Sequence, residues 1–122
     1  GQVPQMDTFL FPADECLVQK AKEVNEKVNP DIHTFTGIVA SGDQFIASKE
    51  AKEKIVTNFH AFCAEMEGAA IAHAAYLNKV SCVIIRAISD KADNSAVMDY
   101  PEFEKRAIRQ NVRLVTELVA EI

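Results

Sequence analysis

The sequence predicts an α/β fold in which helices and strands alternate along the chain. Apolar residues recur at helical spacing in some segments, and shorter segments rich in Val, Ile, Ala and Phe are typical of strands. The last of these, residues 80–88, is almost continuously apolar, as in a strand covered on both faces. Together these patterns predict a layered structure with a largely parallel, buried sheet.

Start and stop signals support each predicted element. Asn29-Pro30 ends the first helical pattern, Ser48 is a candidate N-cap for the second helix, and Pro101 suits the first turn of the last. The small, apolar segment 68–77 suits a helix packed closely against a sheet. The predicted helices are residues 14–28, 49–59, 68–77 and a final one from 101, and the predicted strands are residues 35–40, 61–64 and 80–88.

Three strands make only a small sheet. The segment 80–88 needs covered neighbours on both sides, which the other two predicted strands do not fully supply. We therefore expect residues 1–122 to be the C-terminal portion of a single larger domain, with the missing strands upstream of Gly1.

Composition excludes several classes of protein. The 122 residues are 48% hydrophobic and 25% charged, which sets aside collagen-like and long disordered chains. The net charge of −5 and the lack of any Lys/Arg run longer than two argue against nucleic-acid binding. The longest apolar stretch falls short of the roughly 18 residues of a membrane helix. Three widely spaced cysteines suggest a reduced compartment, so we expect a cytoplasmic protein.

Polar residues follow all three predicted strands. They form the segments Ser41-Gly42-Asp43-Gln44-Phe45, Glu65-Met66-Glu67, and Arg86 with Ser89-Asp90. Any one segment is explained about as well by turns and helix caps as by a site. All three together favour a ligand site, because open α/β sheets bind ligands beyond the carboxyl ends of their strands.

Several of these residue types have specific chemical needs. Arg86 interrupts an apolar segment, and a buried guanidinium requires an acceptor such as Glu65 or Glu67. Asp90, directly after the predicted strand, is either a loop cap or a candidate general acid.

Two interpretations stay open for the aromatic residues Phe45 and Tyr100. Phe45 and Tyr100 either belong to the core or stack on a flat ligand. The four glycines form no phosphate-binding pattern, the sequence contains no Gly-x-Ser-x-Gly motif, and the three histidines lack the spacing of metal ligands on one helical turn. No phosphate loop, serine nucleophile or metal site is therefore predicted.

Three ordered motifs carry a resemblance to a known family. SGDQFI (41–46), AEMEGAAIAH (64–73) and VIIRAISDKAD (83–93) closely resemble the bacterial 5′-methylthioadenosine/S-adenosylhomocysteine nucleosidases of the purine and uridine phosphorylase superfamily, and the resemblance runs over essentially the whole chain. It implies a three-layer α/β/α sandwich around a mixed sheet, usually a homodimer, with no metal or organic cofactor.

The resemblance also implies a reaction. It is the hydrolysis of the bond between adenine and the ribose of 5′-methylthioadenosine or S-adenosylhomocysteine, which releases adenine and the thio-ribose in methionine salvage and methyl-cycle recycling. Asp90 matches the family's general acid, which acts at nitrogen-7 of adenine.

The remaining site residues match substrate contacts. Glu67 matches the carboxylate that holds the ribose hydroxyls, and Met66 the residue packed against the sugar. Phe45 matches the aromatic that stacks on adenine, and Ile46 the residue whose main chain contacts the base edge.

Four further positions match the surroundings of the site. By resemblance, Arg86 lies close to the carboxylates and the water, and Ser89 lies near the general acid. Tyr100 lines the pocket for the thio-substituent, and Glu65 is a supporting carboxylate. The family's water-activating glutamate precedes the position matched by Gly1, so we expect the isolated chain to be inactive.

Three alternatives stay open. A purine nucleoside phosphorylase shares the Glu-Met-Glu and Ser-Asp elements, and a futalosine hydrolase differs in the pocket for the 5′ substituent. A non-catalytic binding or assembly fragment is the third.

Overall fold

The computed structural model describes residues 2–88 and 100–122, and in them helices and strands alternate as predicted. This arrangement confirms the α/β class. The elements are α1 (Glu15–Val28), β1 (Ile38–Ser41), α2 (Lys49–Phe59), β2 (Ala61–Glu65), α3 (Gly68–Asn78) and α4 (Tyr100–Glu121).

Side-chain caps fix where the first two helices begin. Asp14 Oδ1 accepts a hydrogen bond from the Leu17 N–H at 3.0 Å, and Ser48 Oγ accepts one from the Ala51 N–H at 3.2 Å. The Ser48 cap is therefore confirmed. The first helix ends with Asn29 as its C-cap, as the Asn-Pro signal predicted.

The sheet consists of two parallel strands in the described residues. β1 pairs with β2 in a register that places Ser41 beside Glu65. β1 begins at Ile38, three residues after the predicted start, because only residues from there on pair with β2. The parallel pairing was predicted correctly, and it makes both strands end at the same edge of the sheet.

Residues 80–88 do not form a strand, so that prediction was wrong. A strand needs a ladder of hydrogen bonds to a neighbouring strand. The Cys82 carbonyl instead accepts a hydrogen bond from the Asp14 N–H, at 2.9 Å, at the start of α1. Val80 and Ile88 are exposed, so the segment is not covered on both faces either. The apolar pattern describes the side chains, whereas strand formation depends on a partner.

The buried core lies between α1 and α4. Asn29 at the end of α1 is buried, and its side-chain amide donates to Asn25 Oδ1 at 2.9 Å and to the Gln110 carbonyl at 3.1 Å. These bonds connect the two helices at one end of their interface. The buried apolar residues are Ala21, Val24, Leu114 and Leu118, with Val28 and Ile85 packed against them.

The helix α3 packs against β1 at its start. Gly68 is buried, whereas Ile71 and Leu77 are exposed. The prediction of a helix packed closely against a sheet therefore applies to its first turn, which is the part next to the strand ends.

None of the helices in the described part of the chain combines the length and apolar character needed to cross a membrane.

A cluster of charges also connects α1 to the C-terminal turns of α4. Glu121 contacts Lys20 at 2.9 Å and Lys27 at 3.0 Å, and Lys27 also contacts Glu117 at 2.6 Å. Hydrogen bonds from the two lysines lower the pKa of the Glu121 carboxyl to about 2.

Replacing this carboxylate should change stability in a pH-dependent way. A carboxyl group with a lowered pKa stabilises the fold above its ordinary pKa, and that contribution disappears as the pH falls towards the folded-state value. Glu121→Gln should therefore lower the melting temperature at about pH 6, and the difference from wild type should shrink by about pH 3. The matched control is Glu53→Gln, which removes an exposed pair within α2. A deficit that is the same at both pH values would contradict the assignment.

Candidate active site

A buried carboxylate lies where β1, β2 and α3 meet. Glu65 is the last residue of β2, and its side chain is only 2% exposed. Its Oε1 accepts a hydrogen bond from the Ser41 hydroxyl, and its Oε2 accepts from the backbone N–H groups of Glu67, at 2.9 Å, and Gly68, at 2.7 Å. Both oxygens therefore have donors, as a buried carboxylate requires.

These bonds also cap α3. The first N–H groups of a helix lack partners within the helix, and they attract negative charge. Glu67 occupies the N-cap position but makes no side-chain capping hydrogen bond. Glu65 supplies the cap instead, and Ser41 Oγ accepts the Ala69 N–H at 2.8 Å. The Glu67 side chain is thus not needed for capping, and it is 64% exposed.

Gly68 allows the carboxylate to lie this close to the helix. A Cβ at this position would lie 2.8 Å from Glu65 Oε1 and 3.1 Å from its Cδ. Because Glu65 is held by three donors, it could not move aside without losing hydrogen bonds. The absence of a side chain at Gly68 is therefore a requirement of the site.

Arg86 lies beside both carboxylates. Its Nη1 is 3.8 Å from Glu65 Oε2 and 3.6 Å from Glu67 Oε2, and its side chain is 43% exposed. This confirms that a glutamate of the Glu-Met-Glu segment faces the guanidinium, and both of them do. The cluster joins the end of β2 to the segment that follows α3.

The residues predicted to contact adenine and the sugar lie in the segments that follow β1 and β2 in the chain. Phe45 and Ile46 follow β1, and Met66 follows β2. Phe45 is 80% exposed and is not part of the core between α1 and α4, while Ile46 is half-buried and Met66 is exposed. A flat ligand can therefore reach the ring of Phe45.

No described contact joins Phe45, Ile46 or Tyr100 to this cluster. Tyr100 begins α4 and is exposed, and its ring lies 6.5 Å from that of Phe103 in the same helix. Asp90, the predicted general acid, and its neighbour Ser89 lie outside the described residues.

Cys63 lies in β2 near the cluster. Burial raises the pKa of its thiol and Glu65 acts in the same direction, while the charge of Arg86 opposes them. The thiol is thus kept neutral, which does not suit a nucleophile. Across the described ranges, no group of three or more His, Cys, Asp or Glu side chains is arranged to hold a metal ion.

Ser41 is the site residue that sequence reasoning missed. It appeared only as one of several polar residues after a strand, yet it contacts both Glu65 and α3. The signal that could have found it is positional: in a parallel pair, the last residues of two adjacent strands lie side by side.

The sequence matches the family described as "Phosphorylase superfamily" over residues 2–120. The chain belongs to this superfamily. Its fold is accordingly nucleoside phosphorylase-like, and the Glu65–Glu67–Arg86 cluster occupies the strand-end edge of a phosphorylase-superfamily sheet.

Curated relatives within the superfamily are nucleosidases. The chain is 40% identical to a 5′-methylthioadenosine/S-adenosylhomocysteine nucleosidase of Desulfotalea psychrophila and 34% identical to an aminodeoxyfutalosine nucleosidase of Helicobacter pylori, and each alignment covers 100% of the chain and 52% of the relative. The chain thus spans about half the length of the curated relatives it matches.

A solved superfamily structure has the same fold. The chain superposes with a TM-score of 0.86 on the 5′-methylthioadenosine/S-adenosylhomocysteine nucleosidase of Neisseria meningitidis in complex with methylthio-immucillin-A. The identity is 35%, and the superposition covers 100% of this chain and 52% of that one.

The close approach at Gly68 can be tested in this superfamily member by adding a methyl group. Gly68→Ala should destabilise the protein by about 1–3 kcal/mol, the usual cost of overpacking, because the new Cβ meets the Glu65 carboxylate. Gly42→Ala is the matched control, since a Cβ there has no neighbour within 4 Å. Urea unfolding of both variants measures the difference, and equal midpoints would contradict the requirement.

Proposed function

We propose that residues 1–122 are the C-terminal portion of a single nucleosidase domain. The domain hydrolyses the N-glycosidic bond of 5′-methylthioadenosine and S-adenosylhomocysteine, releasing adenine and the thio-ribose. The observation that carries the proposal is the pairing of Arg86 with Glu65 and Glu67 at the edge where α/β sheets bind ligands, with an exposed Phe45 in the segment that follows β1.

The chemistry of the bond sets two tasks. Cleavage develops positive charge on the sugar and negative charge on the departing base, so a nucleosidase must stabilise the first and neutralise the second. Glu67 suits the sugar side, because its exposed carboxylate can accept hydrogen bonds from ribose hydroxyls. Phe45 suits the base side, because its exposed ring offers a face for adenine to stack on.

The other assigned residues complete the substrate site in this proposal. Met66, next to Glu67, packs against the sugar, and Ile46 contacts the base edge through its main chain. Arg86 holds the two carboxylates and lies near the attacking water, and Tyr100 lines the pocket for the 5′ substituent.

Asp90 is the proposed general acid, and Ser89 supports it. Asp90 follows Arg86 by four residues in the sequence. By donating a proton to nitrogen-7 of adenine, the acid turns the base into a neutral leaving group.

The surface of the chain supports the assignment to part of a larger domain. Its accessible surface is 9228 Å², whereas a compact monomer of this mass exposes about 6,500 Å². Large apolar side chains such as Phe35 and Phe62 are exposed, and a parallel sheet is normally covered on both faces. The homodimer that the resemblance implies and the cytoplasmic location that the three widely spaced cysteines suggest belong to the same proposal.

A second candidate function is the hydrolysis of aminodeoxyfutalosine. The 34% identity to the Helicobacter pylori enzyme of that name favours it. The ratio of kcat/KM for aminodeoxyfutalosine and for 5′-methylthioadenosine, measured on the full-length protein, separates the two activities.

Phosphate dependence separates a nucleosidase from a phosphorylase. If water is the nucleophile, the full-length protein should release adenine from 5′-methylthioadenosine at the same rate with and without inorganic phosphate. The sugar product should be the free thio-ribose, as measured by chromatography. A requirement for phosphate, with a sugar phosphate as product, would overturn the hydrolase assignment.

Removal of the proposed acid should slow the chemical step. Asp90→Asn in the full-length protein should lower kcat by about a hundredfold or more, because general acid catalysis typically contributes that much. Asp31→Asn is the control, since Asp31 is an exposed residue just after α1. If Asp90→Asn turned over at nearly the wild-type rate, Asp90 would not be the acid.

A further inference from the structure

We propose that Ser41 is a positioning residue for the sugar-binding carboxylate of Glu67, acting through Glu65 and the first turn of α3. The proposal rests on the proposed function, in which Glu67 binds the ribose hydroxyls. It assigns a role to a residue of β1 that does not itself contact substrate.

The Ser41 hydroxyl connects three parts of the site. It donates a hydrogen bond to Glu65 Oε1 at the end of β2, and it accepts one from the Ala69 N–H of α3 at 2.8 Å. A hydroxyl can donate and accept at the same time, which few side chains of this size can do. One oxygen atom therefore connects both strand ends and the helix start.

The connection continues to Glu67 through the other oxygen of the buried carboxylate. Glu65 Oε2 accepts from the Glu67 N–H at 2.9 Å and from the Gly68 N–H at 2.7 Å. The backbone of Glu67 is thus fixed relative to the sheet edge, and its freedom is confined to side-chain torsions. Arg86 Nη1, at 3.6 Å from Glu67 Oε2, limits those torsions further.

Loss of the Ser41 hydroxyl would act on both connections. Glu65 Oε1 would lose its donor, and the Ala69 N–H would lose an acceptor. The Glu65 carboxylate could then rotate, and the turn that contains Glu67 would no longer be held in a single position. Small displacements of positioning groups cost rate steeply, about a hundredfold for an error of 1 Å.

The test compares two ligands on variants of the full-length protein. Ser41→Ala should lower kcat/KM for 5′-methylthioadenosine by about tenfold or more. This loss is smaller than the roughly hundredfold loss of rate expected for a 1 Å misplacement. The affinity for free adenine, which has no sugar, should stay within about twofold of wild type. Ser41→Thr keeps the hydroxyl and should restore most of the loss.

A double-mutant cycle separates positioning from a general structural effect. Glu67→Gln should also lower kcat/KM for the riboside while sparing adenine. If Ser41 acts through Glu67, adding Ser41→Ala to Glu67→Gln should cost little more, so the two effects are not additive.

Ser81→Ala is the matched control. It removes a hydroxyl that donates to another carboxylate, that of Asp14, at 2.7 Å, away from the site. Its kinetic constants should equal those of wild type. If Ser41→Ala failed to fold, as shown by loss of its thermal transition, Ser41→Cys would replace it, since the thiol is a weaker donor and an intermediate loss is expected.

The contradicting outcomes differ for the two proposals. Additive losses, an equal loss of adenine affinity, or no recovery in Ser41→Thr would overturn the positioning role and leave the proposed function intact. A Glu67→Gln variant with unchanged constants for the riboside would overturn the sugar-binding role of Glu67, and the positioning role with it.

Discussion

A carboxylate buried at the edge of a sheet must be fully hydrogen-bonded, and the local structure depends on how Glu65 meets this requirement. Its partners come from β1, from the first turn of α3 and from the turn between β2 and α3. Isolated burial of such a charge would cost several kcal/mol, on the order that unfolds a small domain. The register that brings Ser41 beside Glu65, and the missing side chain at Gly68, both follow from this constraint.

The same constraint separates the roles of two neighbouring glutamates. Glu65 is buried and its oxygens are taken by protein donors, whereas Glu67, two residues later, is exposed and is not needed as a helix cap. A pair of like charges this close is tolerated because Arg86 lies between them and the helix N-terminus favours negative charge. In the proposed nucleosidase, one carboxylate therefore holds the structure and the other is available to the sugar.

Local signals in the sequence predicted most of the elements and part of the site. The Ser48 cap placed α2 at the residues where it occurs, and the isolated Arg86 correctly indicated a glutamate partner. Residues 80–88 were misassigned because strand formation depends on a pairing partner that the apolar pattern does not specify. Ser41 was missed for a related reason, since its role arises from the register between two strands.

Amide hydrogen exchange measures the anchoring of the α3 N-terminus by Glu65 and Ser41 most directly. First-turn amides of a helix usually exchange quickly, because they have no partner within the helix. We predict that the Gly68 and Ala69 amides exchange at least about tenfold more slowly, relative to their intrinsic rates, than those of Lys49 and Glu50 in the exposed first turn of α2. Equal protection in the two first turns would contradict the anchoring on which the candidate site depends.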